Sequence, residues 1–406
     1  VNLESKRSEK MERIELEVAI DYLLNYGNFQ LQRKTVPLMA ALHQRLAEDC
    51  YAPCHVPSFN RSAMDGYAVK ASQTQGATQE HPIKLPVLTE IVAGQVPNLL
   101  FETEGAVRIM TGAMIPDGFD SVIRQEDTNY GEKEVEIYRA IKPNTNYSKI
   151  GEDIEKGQLL IQKGTRLTPI HLGILASIGI DAVEVVCPLK VGLISTGSEL
   201  APLGEPLVPG QIYDSNRYVL AARLQELQVE VVFMEQISDS IEDACDLISQ
   251  TINQVDLLIT TGGVSVGKKD IIHEVMRTLK AQRLFWRVNI RPGTPVLASL
   301  YRSKLILSLS GNPFAALTTF ELLFRPLLGE QANDQRKVAI LKDHFTKPSS
   351  QRRFVRGYYE DGHVFLPTKA HASSVLSSML DCNCLIDIPA KSPSLKAGDQ
   401  VEVVLL

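Results

Sequence analysis

Between Lys190 and about Gly329, continuous apolar runs alternate with amphipathic stretches, and this alternation narrows the folds open to the chain more than any other feature. VGLIS (191–195), VEVVFM (229–234), DLLIT (256–260), LFWRV (284–288) and KLILSLS (304–310) predict strands. Ser215 to Gln228, Ile241 to Asn253, Asp270 to Lys280 and Phe314 to Leu328 predict helices between and after them. Strands that are apolar on both faces need cover on both faces. The expected arrangement is therefore a doubly wound, mostly parallel α/β sheet.

The flanking segments have a different texture. Ile14, Val18, Ile20, Leu23 and Leu24 stand at helical spacing, and Val36 to Leu46 carries mixed signals. From Pro53 to about Lys142, short alternating runs such as 83–88, 106–110, 121–123 and 134–138 are punctuated by Gly and Pro, which predicts a β-rich domain. Glycines spaced along Gly151 to Pro169 predict tight hairpins before a helix over 169–177, and this segment groups with residues 15–50 as one interrupted domain. Beyond Glu330, FVRGYYE, HVFLP, CLIDIP and QVEVVLL predict a small β-barrel or sandwich.

Charge and composition exclude several partner classes. The 406 residues carry 42 Lys+Arg against 48 Asp+Glu, a net charge of −6, which argues against nucleic acid or an anionic membrane surface as the main partner. Any anion must then be held by a local pocket. No run reaches the roughly 18 uninterrupted apolar residues of a membrane span. Residues 1–10 are charged where a secretory segment is apolar and read as a frayed lead-in, so the expected compartment is the cytosol. Cys50, Cys54, Cys187, Cys245, Cys382 and Cys384 have no His at zinc spacing and are expected as unpaired thiols.

In an open parallel sheet the ligand crevice lies at the carboxyl ends of the strands. The loops expected there are Thr196-Gly197-Ser198-Glu199, Ser238-Asp239, the run from Thr261 through Gly262, Gly263, Val264, Ser265, Val266, Gly267, Lys268 and Lys269 to Asp270, and Gly311-Asn312-Pro313. The glycines allow close approach of backbone N–H groups to phosphate oxygens, and a following helix adds its positive end. Carboxylates alone would repel a phosphate. Glu199, Asp239 and Asp270 make sense together if they hold a divalent cation such as Mg²⁺. Lys268, Lys269, Arg287 and Arg291 supply candidate positive charge.

Each element also has a plainer reading. Asp239 and Asp270 fit as helix N-caps, the GG pair as a turn, Arg287 and Arg291 as exposed ion pairs, and Trp286 as core. In SAMDGYA (62–68), Asp65-Gly66 reads equally as a functional string or a hairpin turn. In RIMTGAMIPDG (108–118), Thr111 either offers a hydroxyl to an oxyanion or stabilises the bend.

Taken in order, VPSFNRSAMDGYAV, RIMTGAMIP, GEDIEKGQLL, ISTGSEL, ITTGGVSVGKKD, FWRVNIRPGTP and SGNPFAAL resemble the molybdopterin molybdenumtransferase family, the MoeA type related to the C-terminal domain of gephyrin. The resemblance runs from about residue 14 to the end of the chain. It implies an elongated interrupted domain (12–50 plus 145–188), an inserted β-rich domain (51–144), an α/β molybdopterin-nucleotide-binding domain similar to molybdopterin adenylyltransferases (189–330) and a C-terminal β-barrel domain (331–406). It also implies a homodimer whose active site is shared between subunits, with a molybdopterin adenylyltransferase and apo-molybdoenzymes as partners. The implied reaction takes adenylylated molybdopterin and molybdate, leaves molybdenum on the dithiolene and releases AMP with Mg²⁺. By motif, the implied catalytic positions are Asp65, Thr111, Glu199, Asp239, Asp270, Arg287, Arg291 and Arg356, with the metal on Glu199, Asp239 and Asp270. Thr196, Gly197, Gly262, Gly263, Ser265, Gly267, Gly311, Asn312 and Pro313 are the implied binding positions.

The chain departs from the family pattern at several of these positions. Arg287 and Arg291 stand where lysines are common, Thr294 where a lysine stands in PGKP, Ser310 where LPGNP has proline, and His371-Ala372-Ser373 where the family has Gln-Gly-Ser. Two other function classes are weighed: a non-catalytic molybdopterin-binding carrier or scaffold, and an ATP-dependent adenylyltransferase suggested by the α/β domain alone.

Overall fold

A computed structural model describes residues 13–27, 29, 31–97, 104–265, 271–329, 335–368 and 372–406. The chain folds as two compact units, Gln32–Cys187 and Val1–Leu31 with Pro188–Leu406.

In the first unit, strands Arg33–Pro37 and Arg45–Leu46 flank Ala182–Val186 antiparallel. The GEDIEKGQLL segment does not close on itself as local hairpins. Gly151, Gly157 and Gly164 take positive φ and turn the chain, but Leu159–Ile161 pairs back to Cys50–Tyr51. Helix Pro169–Ser177 starts where expected, with Pro169 in its first turn and the Thr168 hydroxyl accepting from the His171 N–H. The inserted residues form a five-stranded sheet in the order Ser121–Arg124, Gly66–Val69, Ala106–Ile109, Ile83–Ile91, Glu134–Ile137. Alternate residues of the strand Gly66–Val69 serve two cores, Tyr67 and Val69 on one side and Ala68 on the other.

The second unit is built on a six-stranded sheet in the order Glu230–Ile237, Lys190–Thr196, Leu257–Thr261, Lys304–Leu309, Leu297–Tyr301, Gln282–Trp286. The first four strands are parallel. The last two run antiparallel to their neighbours, and Leu297–Tyr301 is a strand that the apolar pattern did not single out. Helices Asn216–Glu226 and Ile241–Thr251 connect the first three parallel strands in sequence, and Ile272–Thr278 leads from Leu257–Thr261 to Gln282–Trp286. The expected helix over 314–328 divides into an α-helix at Pro313–Thr319, a π turn at Phe320–Phe324 and a 3₁₀ turn at Arg325–Leu328. Inside the π turn, Glu321 is fully buried and pairs with Arg223 at 2.6 Å and Arg325 at 2.9 Å.

Helix Leu16–Tyr26 differs from its expected grouping with the interrupted domain. Its buried positions Leu16, Ala19 and Leu23 repeat every three to four residues, and that stripe joins the core containing Phe320, Leu323 and Phe324 of the second unit. The C-terminal strands close into a five-stranded barrel, Arg352–Glu360, His363–Phe365, Arg336–Leu341, Gln400–Leu405 and Cys384–Ile388, the last pairing again with the first. Closure leaves no free strand edge, and Ala339, Val355, Val364, Ile386 and Val403 fill the interior. Among the described residues no helix is long and apolar enough to cross a membrane.

Candidate active site

The sheet order of the second unit creates a switch point. From the Lys190–Thr196 strand the chain adds Glu230–Ile237 on one side and then Leu257–Thr261 on the other, so the loops leaving these strands diverge and open a crevice. The parallel register brings the strand ends level, with Thr196 opposite Ile237, Ser195 opposite Thr261, and Thr261 opposite Leu309. A cleft of about 570 Å³ lies there. Gly262 turns into it at φ +89°, and a Cβ at this position would sit 2.4 Å from the Thr196 carbonyl oxygen, so only glycine fits.

Of the implied binding and carboxylate positions, Thr196, Gly197, Glu199, Asp239, Gly262, Gly263, Ser265, Gly311, Asn312 and Pro313 all line this cleft. Asp239 is oriented by its neighbour across the strand ends. Ser198 donates to Asp239 Oδ2 through its N–H at 3.2 Å and its hydroxyl at 3.0 Å, and the Asp239 N–H donates back to Ser198 Oγ at 3.3 Å. Gly267 and Asp270, with Lys268 and Lys269, lie outside the described residues.

A second cleft of about 730 Å³ shares Pro295, Ser310 and Asn312 with the first as common wall. Arg291, Arg353, Arg356 and Lys347 line it, together with Phe314 and Phe345. Arg356 is fully buried, its guanidinium 3.7 Å from the Phe314 ring centroid. It donates to the Val375 carbonyl at 2.5 Å, the Ala372 carbonyl at 2.9 Å and the Ser378 hydroxyl. No carboxylate pairs with it among the described residues, and burial draws its pKa below the ordinary arginine value. Arg353 is drawn down by burial and by the like charge of Arg291. A buried cation without a carboxylate, in a cleft that three more cations line, gives that cleft the charge to attract an anion. Thr294 also lines this cleft, but its hydroxyl donates to the Ile290 carbonyl at 2.6 Å.

Arg287 takes a different place. Its backbone is left-handed at φ +71°, its guanidinium stacks 4.2 Å from the Trp286 ring centroid, and it lines neither cleft. Asp65 and Thr111 belong to the first unit, where the antiparallel register Gly66 opposite Ile109 brings the residues just beyond that pair together. Thr111 donates to Asp65 Oδ1 through both its N–H and its hydroxyl. Asp65-Gly66 is not a hairpin turn. Gly66 opens the strand Gly66–Val69, and a Cβ there would lie 1.9 Å from the Ile123 carbonyl oxygen.

Sequence reasoning did not single out Tyr213, Asp214, Ser215 and Asn216, which line the first cleft. Asn216 opens helix Asn216–Glu226, and its Nδ2 donates to the Gly311 carbonyl at 2.8 Å, tying two strand-end loops together. The available signal was the string YDSN ahead of an apolar-periodic helix, which reads as an N-cap pattern. Asp214 does serve the helix start, accepting from the Arg217 N–H at 3.2 Å.

Among the described residues, no group of three or more His, Cys, Asp or Glu side chains could enclose a metal. Three carboxylates line the cleft; Asp214 is paired with Arg217 at 3.3 Å, which leaves Glu199 and Asp239, among hydroxyl groups and with no His or Cys in the lining. That hard, open donor set fits Mg²⁺, which takes one or two carboxylates and fills its remaining positions with water and phosphate oxygens.

A mostly parallel sheet with a glycine-turned, carboxylate-flanked cleft at its carboxyl edge defines the doubly wound α/β class, in which the ligand crevice lies at a switch point. Three family descriptions match the chain: MoeA N-terminal region (domain I and II) over residues 8–179, probable molybdopterin binding domain over 192–330, and MoeA C-terminal region (domain IV) over 338–406. A molybdopterin molybdenumtransferase of Bacillus subtilis (strain 168) is 37% identical over 393 residues, 93% of this chain and 91% of that protein. One from Haemophilus influenzae is 36% identical over 96% of this chain and 97% of its own length. Among solved structures, the molybdopterin biosynthesis MoeA protein from Pyrococcus horikosii superposes with a TM-score of 0.86 at 34% identity, covering 97% of this chain and 99% of that one. The chain belongs to the molybdopterin molybdenumtransferase family, a family of transferases in molybdenum cofactor biosynthesis.

Proposed function

We propose that this protein inserts molybdenum from molybdate into adenylylated molybdopterin with Mg²⁺-dependent release of AMP. The observation that carries the reading is the shared wall of the two clefts, one glycine-turned and flanked by carboxylates, the other lined by the buried Arg356, the half-buried Arg353 and the exposed Arg291 and Lys347. Transfer between two anions requires both to be held side by side, and Pro295, Ser310 and Asn312 belong to both binding surfaces.

In this reading the adenylate occupies the first cleft, against the backbone of Gly262, Gly263 and Ser265. Glu199 and Asp239 would hold Mg²⁺, with Asp270 as the further carboxylate that the family resemblance implies. When bound, that cation neutralises phosphate charge and stabilises the negative charge that develops as AMP leaves. Ser198 keeps Asp239 turned, Asn216 holds the Gly311 loop in register, and Arg356 with Arg291 and Arg353 orients molybdate as an oxyanion. The reading includes a homodimer whose site is shared between subunits, with Asp65 and Thr111 acting at the molybdate end. It includes hand-over from a molybdopterin adenylyltransferase and to apo-molybdoenzymes in the cytoplasm. No observation favours the carrier reading over the transferase.

Calorimetric titration tests the two-cleft arrangement. AMP with Mg²⁺ and molybdate should bind together, each with its affinity kept or raised in the presence of the other. Mutual exclusion would contradict it.

A further inference from the structure

Behind the glycine turn, two aromatic side chains meet at one carbonyl. Trp286 Nε1 donates to the Val264 oxygen at 3.4 Å, and His273 Nε2 stands 3.2 Å from the same oxygen. Because a carbonyl can only accept, that histidine nitrogen carries the proton in this arrangement. The His273 ring meets the indole edge-on with centroids 4.5 Å apart, and Arg287 covers the indole at 4.2 Å. The Val264 side chain is buried in a core that includes Ile194, Ile271 and Leu297. Val264 is thus fixed by its side chain and its carbonyl, while Gly262, Gly263 and Ser265 on either side line the cleft. None of Arg287, Trp286 and His273 lines either cleft.

We propose that Trp286, carrying Arg287 on its face, and His273 are positioning residues: together they seat the Val264 carbonyl and so hold the Gly262–Ser265 backbone in place for the ligand. Arg287 then acts through the indole and not by touching the anion, and occupancy of the cleft is felt at the ring. The inference rests on the nucleotide reading of the first cleft.

The chain has one tryptophan, so its indole emission comes from Trp286 alone. The test titrates the full-length protein with AMP and Mg²⁺, following tryptophan emission and calorimetric heat in parallel. The expected result is a saturable change in emission with the calorimetric midpoint. Trp286→Phe keeps a ring and removes the N–H, and should weaken AMP binding by about 3- to 10-fold, the range of one lost hydrogen bond. His273→Phe should act in the same direction. The double variant should depart from the product of the single effects by about threefold or more, because both donors serve one oxygen. Thermal unfolding of each variant separates loss of fold from loss of positioning, and a merely structural role would leave AMP affinity unmoved once the protein is folded. Emission that stays flat through a calorimetric transition, or folded single variants that bind AMP as the unaltered protein does, would overturn this inference alone. Absence of AMP binding in the unaltered protein would overturn the nucleotide reading and this inference with it.

Discussion

Asp65 Oδ1 accepts two hydrogen bonds from Thr111, from its backbone N–H and from its hydroxyl, each 2.7 Å long. The two residues are 46 positions apart and meet only because the strands behind them pair in antiparallel register. The hydroxyl bond first, and the N–H bond second, hold the Asp65 carboxyl below the usual carboxylate range.

A pH dependence with a definite sign follows from that pair. Since the folded-state pKa is lowered, the interaction contributes fully above the unfolded value of about 3.9 and is lost as pH falls through the lower folded value. The Thr111 amide, followed by NMR, should titrate with a midpoint below the ordinary Asp range. Thr111→Val should raise that midpoint, because it removes the larger of the two causes, while Thr111→Ser should keep it low.

Arg356 is predicted to serve as an anion receptor that also braces the barrel. Arg356→Lys keeps the charge but cannot reach Ala372, Val375 and Ser378 with one planar fork, so molybdate affinity should fall about tenfold, and further for Arg356→Met. Oxygens left unpaired should cost about 1–3 kcal/mol in either variant, read as a lower urea midpoint. Unchanged molybdate binding in a folded Arg356→Met protein would remove Arg356 from the site.

Replacing Gly262 probes the glycine turn. Alanine would have to adopt φ +89° with its Cβ 2.4 Å from the Thr196 carbonyl, so Gly262→Ala should destabilise the protein by about 1–3 kcal/mol and displace the backbone that lines the cleft. Calorimetry with AMP should show a weakened or absent transition even where the variant remains folded.

Cys384 is fully buried, and burial, with Cys382 beside it, pushes its thiol pKa up to about 12. At pH 8 in the native protein it should therefore resist alkylation by iodoacetamide, and it should react once urea unfolds the barrel. Mass spectrometry of the labelled peptides decides the point, and rapid native labelling would contradict the burial.

Much of the α/β unit was legible because its inner parallel strands, Lys190–Thr196, Leu257–Thr261 and Lys304–Leu309, are buried on both faces and read as apolar runs. Leu297–Tyr301 was not, since LASLY is a short run beside prolines and nothing in an apolar pattern states strand direction. The strand-end loops containing Thr196, Gly262 and Gly311 were readable as cleft because loops leaving adjacent strands at a switch point part and open a crevice. Asn216 was hidden by its own capping context. Asp65 and Thr111 could each be suspected, but their pairing depends on a register that neither local string contains. The positive charge of Arg287 was evident; its left-handed backbone, which lays the guanidinium on Trp286, was not. The helix at Leu16–Tyr26 was recognisable as amphipathic, while the partner of its apolar stripe was set by the distant Phe320 and Phe324.

The most direct test of the account is AMP release from adenylylated molybdopterin in the presence of molybdate and Mg²⁺, coupled to activation of an apo-molybdoenzyme, with Glu199→Gln alongside. The account predicts AMP release that requires both molybdate and Mg²⁺, activates the apoenzyme, and slows by about 10² or more in the variant. Tight binding of the adenylate with no AMP release, or release that Glu199→Gln leaves intact, would contradict it.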